Sequence, residues 1–223
     1  MHKIASCDVF VLLDDAQFTK NGWQNRNKIK GAQGPVLLTV PVRDASFKPI
    51  SQVEIDHQAP WRGKHWKSLQ IQYGRAPFFR RYREVFEQTF AKRWDLLSPL
   101  NGHLLEALCG VFGIQTSMVR SSTLGVPGSG TERLVSICRR LGATRYLTGA
   151  FAAGNHLEAQ AFARAGIGLI TQVWECPAYR QQFPAAGFVP ELSSVDLLFN
   201  EGPESLRVLM GAIAGPQPAT AGG

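Results

Sequence analysis

Val9-Phe10-Val11-Leu12-Leu13-Asp14-Asp15-Ala16-Gln17-Phe18, followed by Trp23-Gln24-Asn25-Arg26-Asn27-Lys28-Ile29-Lys30, is the stretch on which the reading of the fold turns. An apolar run of five residues reads as a buried strand, and two adjacent carboxylates end it. Ionised groups are costly to bury, so the pair belongs at the strand's exposed end. In open α/β sheets that carboxyl end is where ligands bind. A second apolar run, Val36-Leu37-Leu38-Thr39-Val40, follows at once. The polar residues from Trp23 to Lys30 are therefore expected to form a loop between two core strands.

Outward from this stretch, alternation at Val53-Glu54-Ile55 suggests a short strand. Helices are then expected from about 60 to 112. The first starts at Pro60 and carries Trp66, Leu69 and Tyr73. The second carries Phe79, Tyr82, Phe86 and Phe90, and the third Leu97, Leu100, Leu104, Leu108 and Val111. Recurrence at three and four residues marks these as core faces. Ser129-Gly130-Thr131-Glu132 has capping-box spacing and opens a helix that Gly142 closes. Strands at 145–149 and 167–173 flank a helix at 157–165, an alternation that argues for parallel pairing. A last helix is expected over 204–213. The fold class expected is α/β and Rossmann-like: a mostly parallel sheet with flanking helices and a helical segment at about 60–112. One domain is expected over 1–214, with a disordered Pro/Ala/Gly-rich tail over 215–223.

Composition narrows the classes. The chain has 223 residues, 44% of them hydrophobic and 18% charged, ordinary values for a globular protein. No apolar run approaches the roughly 20 residues of a membrane span, and Asp8, Asp14 and Asp15 break any signal-like segment. A cytoplasmic location is expected. Cys7, Cys109, Cys138 and Cys176 are scattered without a C-x-x-C pair, and the histidines lack H-x-x-x-H spacing, so no metal site is indicated. No cofactor is identifiable. The net charge of +7 favours anionic partners. Between Ala16 and Arg43 there is no Asp or Glu, while Lys20, Arg26, Lys28, Lys30 and Arg43 are present.

Candidate site residues follow from chemistry. Asp15 is favoured over Asp14 because it shares a face with Gln17 if the strand continues. A carboxylate there can act as a base, bind a cation or orient an amine; a turn-forming Asp is the alternative. Arg26 between Asn25 and Asn27 offers bidentate recognition of carboxylate or phosphate beside paired amide donors and acceptors. Lys28 and Lys30 add charge, and Trp23 offers a stacking face. A polar hairpin covering the sheet end is the alternative. Gly149 opens a glycine-rich strand-to-helix turn, Gly149 to His156, that can present N–H groups to an anion. It matches neither dinucleotide nor P-loop spacing. His156 is an acid/base candidate. Asp15, Gln17, Trp23, Asn25, Arg26 and Lys30 are expected to converge at the sheet's carboxyl edge, with the Gly149 turn approaching them. Ser194 and Asp196 alternate and are candidates to face inward together, with a helix cap at Ser193 or Ser194 as the alternative.

These pieces together resemble the WbqC-like family, bacterial proteins linked to O-antigen and other surface-polysaccharide clusters. The resemblance rests on Asp8 to Phe18, Trp23 to Lys30, Leu38-Thr39-Val40-Pro41-Val42, His65 to Leu69, Tyr73 to Phe79, Tyr146-Leu147-Thr148-Gly149 and Ser193 to Asn200. It spans about residues 1 to 206. Two departures are visible. Family members usually begin with a strand and a Gln-Pro-x-Tyr-x-Pro-type motif, whereas Met1 to Ala5 reads as the middle of the following helix, so a start short by roughly one strand and half a helix is expected. Asn155-His156 stands where the family more often has a tyrosine.

The resemblance implies a transferase or ligase that attaches an acyl or aminoacyl group to an amino sugar or related amine, in surface-polysaccharide or specialised-metabolite biosynthesis. The expected partner is an anionic or nucleotide-linked small molecule, with tRNA as a further candidate. Two alternatives stand beside this reading: an ATP-using nucleotidyltransferase-like enzyme, and an RNA- or nucleotide-binding module.

Overall fold

A computed structural model describes residues 1–149 and 157–211. The chain divides into two compact units. One comprises Met1, Ala16–Gln115 and the chain from Cys176 onward; the other comprises His2–Asp15 and Thr116–Glu175. Each is built from segments far apart in sequence.

In the larger unit, Arg26–Gly31 (β2) and Gly34–Thr39 (β3) form an antiparallel hairpin, with Arg26 opposite Thr39 and Gly31 opposite Gly34. The label β1 is kept for Val9–Leu12 of the other unit. The loop expected over 23–30 is thus largely a strand. Its cause is local: a two-residue connection, Ala32-Gln33, lets the chain reverse, and Gly34 takes a φ of 114° that side chains rarely adopt. Ladder bonding then satisfies the backbone of the charged stretch. Its far side is also occupied, because Lys30 N–H donates to Tyr73 Oη at 2.9 Å and Ser193 N–H donates to the Lys28 carbonyl at 2.8 Å. A short antiparallel pair, Val42–Arg43 (β4) and Glu54–Ile55 (β5), follows.

Helices Trp61–Tyr73 (α2), Phe79–Ala91 (α3) and Leu97–Phe112 (α4) occupy the segment expected to be helical. The label α1 denotes His2–Ala5. On α2 the buried stripe is Trp61, His65, Leu69 and Tyr73, spaced by four, and Trp66 lies at its edge. One core gathers Phe18, Val53, Ile55, Trp61, Trp94, Leu97 and Leu100. A second is aromatic: the Phe199 ring lies 5.3, 5.1 and 5.2 Å from those of Tyr73, Phe79 and Phe86. Offset and edge contacts of this kind contribute beyond area burial.

In the smaller unit, β1 pairs in parallel with Ser117–Arg120 (β6), and Arg145–Gly149 (β7) pairs in parallel with Gly168–Gln172 (β8). Gly130–Arg140 (α5) and Ala159–Arg164 (α6) pack Val135, Cys138, Ala161 and Phe162 around Ile167. The parallel β7–β8 pair with its intervening helix is the unit the alternation implies. The sheet as a whole is less continuous than expected. Among the described residues the strands form four two-stranded pairs, two parallel and two antiparallel. The architecture is α/β with short, mixed sheets.

In the larger unit, Ser194–Glu201 (α7) and Ser205–Leu209 (α8) close the described chain. The helix expected over 204–213 ends at Leu209 within the described residues. The tail over 215–223 lies outside them. No helix among them is long and apolar enough to cross a membrane.

Candidate active site

β1 ends at Leu12 and β6 at Arg120, and the two run in parallel. The residues just beyond them therefore emerge at the same edge. The strand does not continue through Asp14 and Asp15. Both carboxylates turn to the chain after β6. Ser122 N–H and Ser122 Oγ donate to Asp14 at 3.0 and 2.8 Å. Ser121 Oγ donates to Asp15 Oδ1 at 2.5 Å. Arg133, in the first turn of α5, donates through Nη2 to Asp15 Oδ2 and through Nε to the Val126 carbonyl at 3.0 Å.

Asp14 is buried and acts as a tie between the two strand ends. Asp15 keeps 27% of its side chain exposed, and its partner Arg133 keeps 13%. Burial pushes the Asp15 carboxyl up, but the hydrogen bonds from Arg133 and Ser121 outweigh it and hold the group below the usual carboxylate range. A carboxylate that stays ionised is a weak proton acceptor near neutrality. It is suited to hold an ammonium group or to fix a guanidinium. Arg133 is thereby immobilised with donors beyond Nε and Nη2, and a rigid guanidinium fork matches a carboxylate or phosphate.

The other candidate residues fall in several places. Gly149 ends β7 in the same unit as Asp15, and a Cβ there would lie 3.5 Å from Lys3 Nζ. His156, and the turn after Gly149 that carries it, lie outside the described residues. The remaining candidates belong to the larger unit. Gln17 bridges Pro49. Trp23 is 62% exposed, with Lys28 Nζ 5.1 Å from its ring centroid. Asn25 is buried; its Nδ2 donates to the Val40 carbonyl at 2.9 Å, and its Oδ1 has no partner among the described residues. Arg26 donates through Nη2 to Asn21 at 3.1 Å, while its buried Nε has no partner there either. Asn27 Oδ1 accepts from Lys28 N–H at 2.8 Å, a local turn-like bond. Lys30 leaves this group and enters a buried network with Tyr73, Gln181 and Asp196.

Ser121, Ser122 and Arg133 are absent from the candidates read from sequence, and so are Tyr73 and Tyr179. The Ser121-Ser122 pair at the head of a turn-rich connection is the only local signal for the first three. Asp196 has an inward alternation with Ser194, but its role as acceptor from two tyrosine hydroxyls depends on tertiary contacts alone. Among the described residues no group of three or more His, Cys, Asp or Glu side chains is placed to hold a metal ion.

An α/β protein with a fixed carboxylate–guanidinium pair at the carboxyl ends of parallel strands is the class that fold and site define. The chain belongs to the WbqC-like protein family, whose model matches residues 1–208. A curated relative in Mycobacterium tuberculosis, described as uncharacterized protein Rv1507c, is 33% identical over 207 residues, covering 91% of this chain and 87% of the relative. No solved structure matches the chain.

Proposed function

We propose that the protein is a group transferase or ligase that joins an acyl or aminoacyl group to the amine of an amino sugar or related compound, in the cytoplasm, for surface-polysaccharide or specialised-metabolite biosynthesis. The observation that carries this reading is the Asp15–Arg133 pair with Ser121 at the carboxyl ends of parallel β1 and β6. Ligands of open α/β sheets bind at that edge, and the parallel pairs with helical connections support a Rossmann-like arrangement. In this reading Asp15 receives the substrate's ammonium group and orients it. Arg133 offers its remaining donors to a carboxylate or phosphate of the same or the second substrate. His156 is the proposed base: it takes a proton from the ammonium, and the free amine forms the N–C bond as the acyl carbon's bond to the donor's thiolate, hydroxyl or phosphate leaving group breaks. The imidazolium protonates that leaving group, and the second amine proton goes to solvent. Gly149, in the same unit as Asp15, is a proposed substrate contact, and in the larger unit Gln17, Trp23, Asn25, Arg26, Asn27 and Lys30 are proposed substrate contacts in their own right.

The test is amide formation by the purified chain from nucleotide-linked amino sugars and acyl or aminoacyl donors. Asp15→Asn is expected to lower kcat/KM by about 100-fold, the order of loss that follows misplacement of a reacting group. Arg133→Ala is expected to raise KM for the anionic substrate. Equal turnover in wild type and both variants would remove the assignment.

A second reading has its own observation. Trp23 is exposed with the Lys28 ammonium over its ring, a pairing of stacking face and cation that suits a nucleotide or single-stranded RNA. RNA affinity that falls steeply with salt and drops in Trp23→Ala would support it.

A further inference from the structure

Residues 176–193, in the larger unit, lead into α7 with only one short 3-10 turn, Pro184–Ala186. Gln181 is the one buried residue of that stretch. Phe188 is 37% exposed, and Phe183, Val189 and Leu192 are half-buried. No apolar side chain of the segment is fully buried, so polar bonds to buried partners share in holding it down.

Besides Arg180 N–H to Glu201, Gln182 Nε2 to Asn200 and Ser193 N–H to the Lys28 carbonyl, at 3.2, 2.9 and 2.8 Å, the segment is held at two buried charges. Lys30, 1% exposed, donates from Nζ to Gln181 Oε1 at 2.9 Å and to the Gly187 carbonyl. Gln181 in turn bridges the segment to itself, donating to the Val189 carbonyl and accepting from Val189 N–H, both at 2.9 Å. Asp196, 0% exposed, accepts from Tyr179 of the segment at 2.7 Å and from Tyr73 of α2 at 2.8 Å. Burial pushes the Lys30 ammonium down and the Asp196 carboxyl up from their ordinary values. Apolar residues of similar volume are often no less stabilising at such positions.

The backbone of the segment is also strained. Phe183 and Glu191 both sit at a φ of 56°, with Gly187 at 67° between them. A positive φ is unfavourable for a bulky residue such as Phe183, and such strain collects in clamps and switches.

We propose that residues 176–193 are a releasable strap, latched by the Lys30 ammonium and the Tyr179–Asp196 bond, which gates access of solutes to Lys30. Strain favours lifting, and the two latches oppose it together with the bonds to Glu201, Asn200 and the Lys28 carbonyl. Lifting withdraws no fully buried apolar side chain, so it occurs without unfolding α2, α3 or α4. When the strap lifts, Lys30 loses its two carbonyl acceptors and becomes a cation open to anionic oxygens.

The experiment combines amide hydrogen exchange with amine acetylation of the full chain, both mapped by peptide. In the wild type, Lys30 is expected to be acetylated faster than the chain unfolds globally. In Gln181→Ala, Lys30 acetylation is expected to rise about tenfold, as loss of one hydrogen bond to a charged group implies. In Lys30→Met, exchange over 176–193 is expected to rise by a similar factor, with α2 to α4 unchanged. Lys30 labelling only at the global unfolding rate of the wild type would overturn the strap, whether or not the variants fold. So would exchange that rises equally in α2 to α4, or that does not rise in 176–193.

Discussion

Asp15 sits where two influences on its acidity oppose each other: burial raises its pKa, and Arg133 with Ser121 lowers it further than burial raises it. A carboxyl whose folded pKa is depressed adds stability that is present above the unfolded pKa and lost as the pH falls through the folded one. Arg133→Met removes the main opposing partner. The Asp15 pKa is then expected to rise, and acid unfolding to begin at higher pH. A carboxyl NMR titration checks this, and an unmoved Asp15 curve would show that the pair contributes nothing. At neutral pH the loss is expected to be about 1 kcal/mol, the net worth of one hydrogen bond at a partly exposed, solvent-screened pair. Tyr73→Phe is a harsher change. Its hydroxyl both accepts from Lys30 N–H and donates to Asp196, so two buried groups lose a partner. Urea unfolding is expected to show a loss of about 2–4 kcal/mol on that basis, and a loss below that of Tyr179→Phe would contradict it.

Helix α5 starts where the capping-box spacing places it, yet the Ser129 side chain makes no cap hydrogen bond. Ser129→Ala is therefore expected to change stability by less than about 0.5 kcal/mol, against the ~1 kcal/mol typical of a working cap. Two helix ends carry glycine at positive φ with opposite surroundings. A Cβ on Gly113, after α4, would meet open space, whereas one on Gly202, after α7, would lie 2.4 Å from the Phe78 ring. Gly113→Ala is expected to cost about 1 kcal/mol for the left-handed backbone. Gly202→Ala adds overpacking and is expected to cost about 2–4 kcal/mol; thermal unfolding of the two variants should rank them so. Helices α2 to α4 are legible from residue spacing because each buries one continuous apolar stripe. β6 is not, since Ser117-Met118-Val119-Arg120 offers two apolar residues in a row and no alternation. β2 is misread as loop for a physical reason as well. Its outward backbone groups are satisfied by Tyr73 and Ser193 and its Lys30 ammonium by Gln181 and the Gly187 carbonyl, distant partners that no local pattern announces. The same holds for the site: Asp15 is visible as a carboxylate at a strand end, but the hydroxyls and guanidinium that define it come from more than a hundred residues later in the chain.

Across the whole molecule, neither unit is contiguous. The aromatic core of α2 and α3 is completed by Phe199, and its buried polar groups by Asp196. The fragment 16–115 is accordingly expected to lack cooperative urea unfolding by itself and to regain it when a peptide of residues 176–211 is added. Cooperative unfolding of the fragment alone, unchanged by the peptide, would refute that dependence. The discontinuity of the smaller unit has a consequence in time. Val9 pairs with Ser117, so β1 leaves the ribosome roughly a hundred residues before its partner. At about 5–20 residues per second the delay is on the order of 5–20 s. Throughout that interval a short apolar strand ending in two carboxylates is carried unpaired on a nascent chain. Asp14 and Asp15, besides their place in the finished site, are then the charges that keep this strand from pairing with others like it.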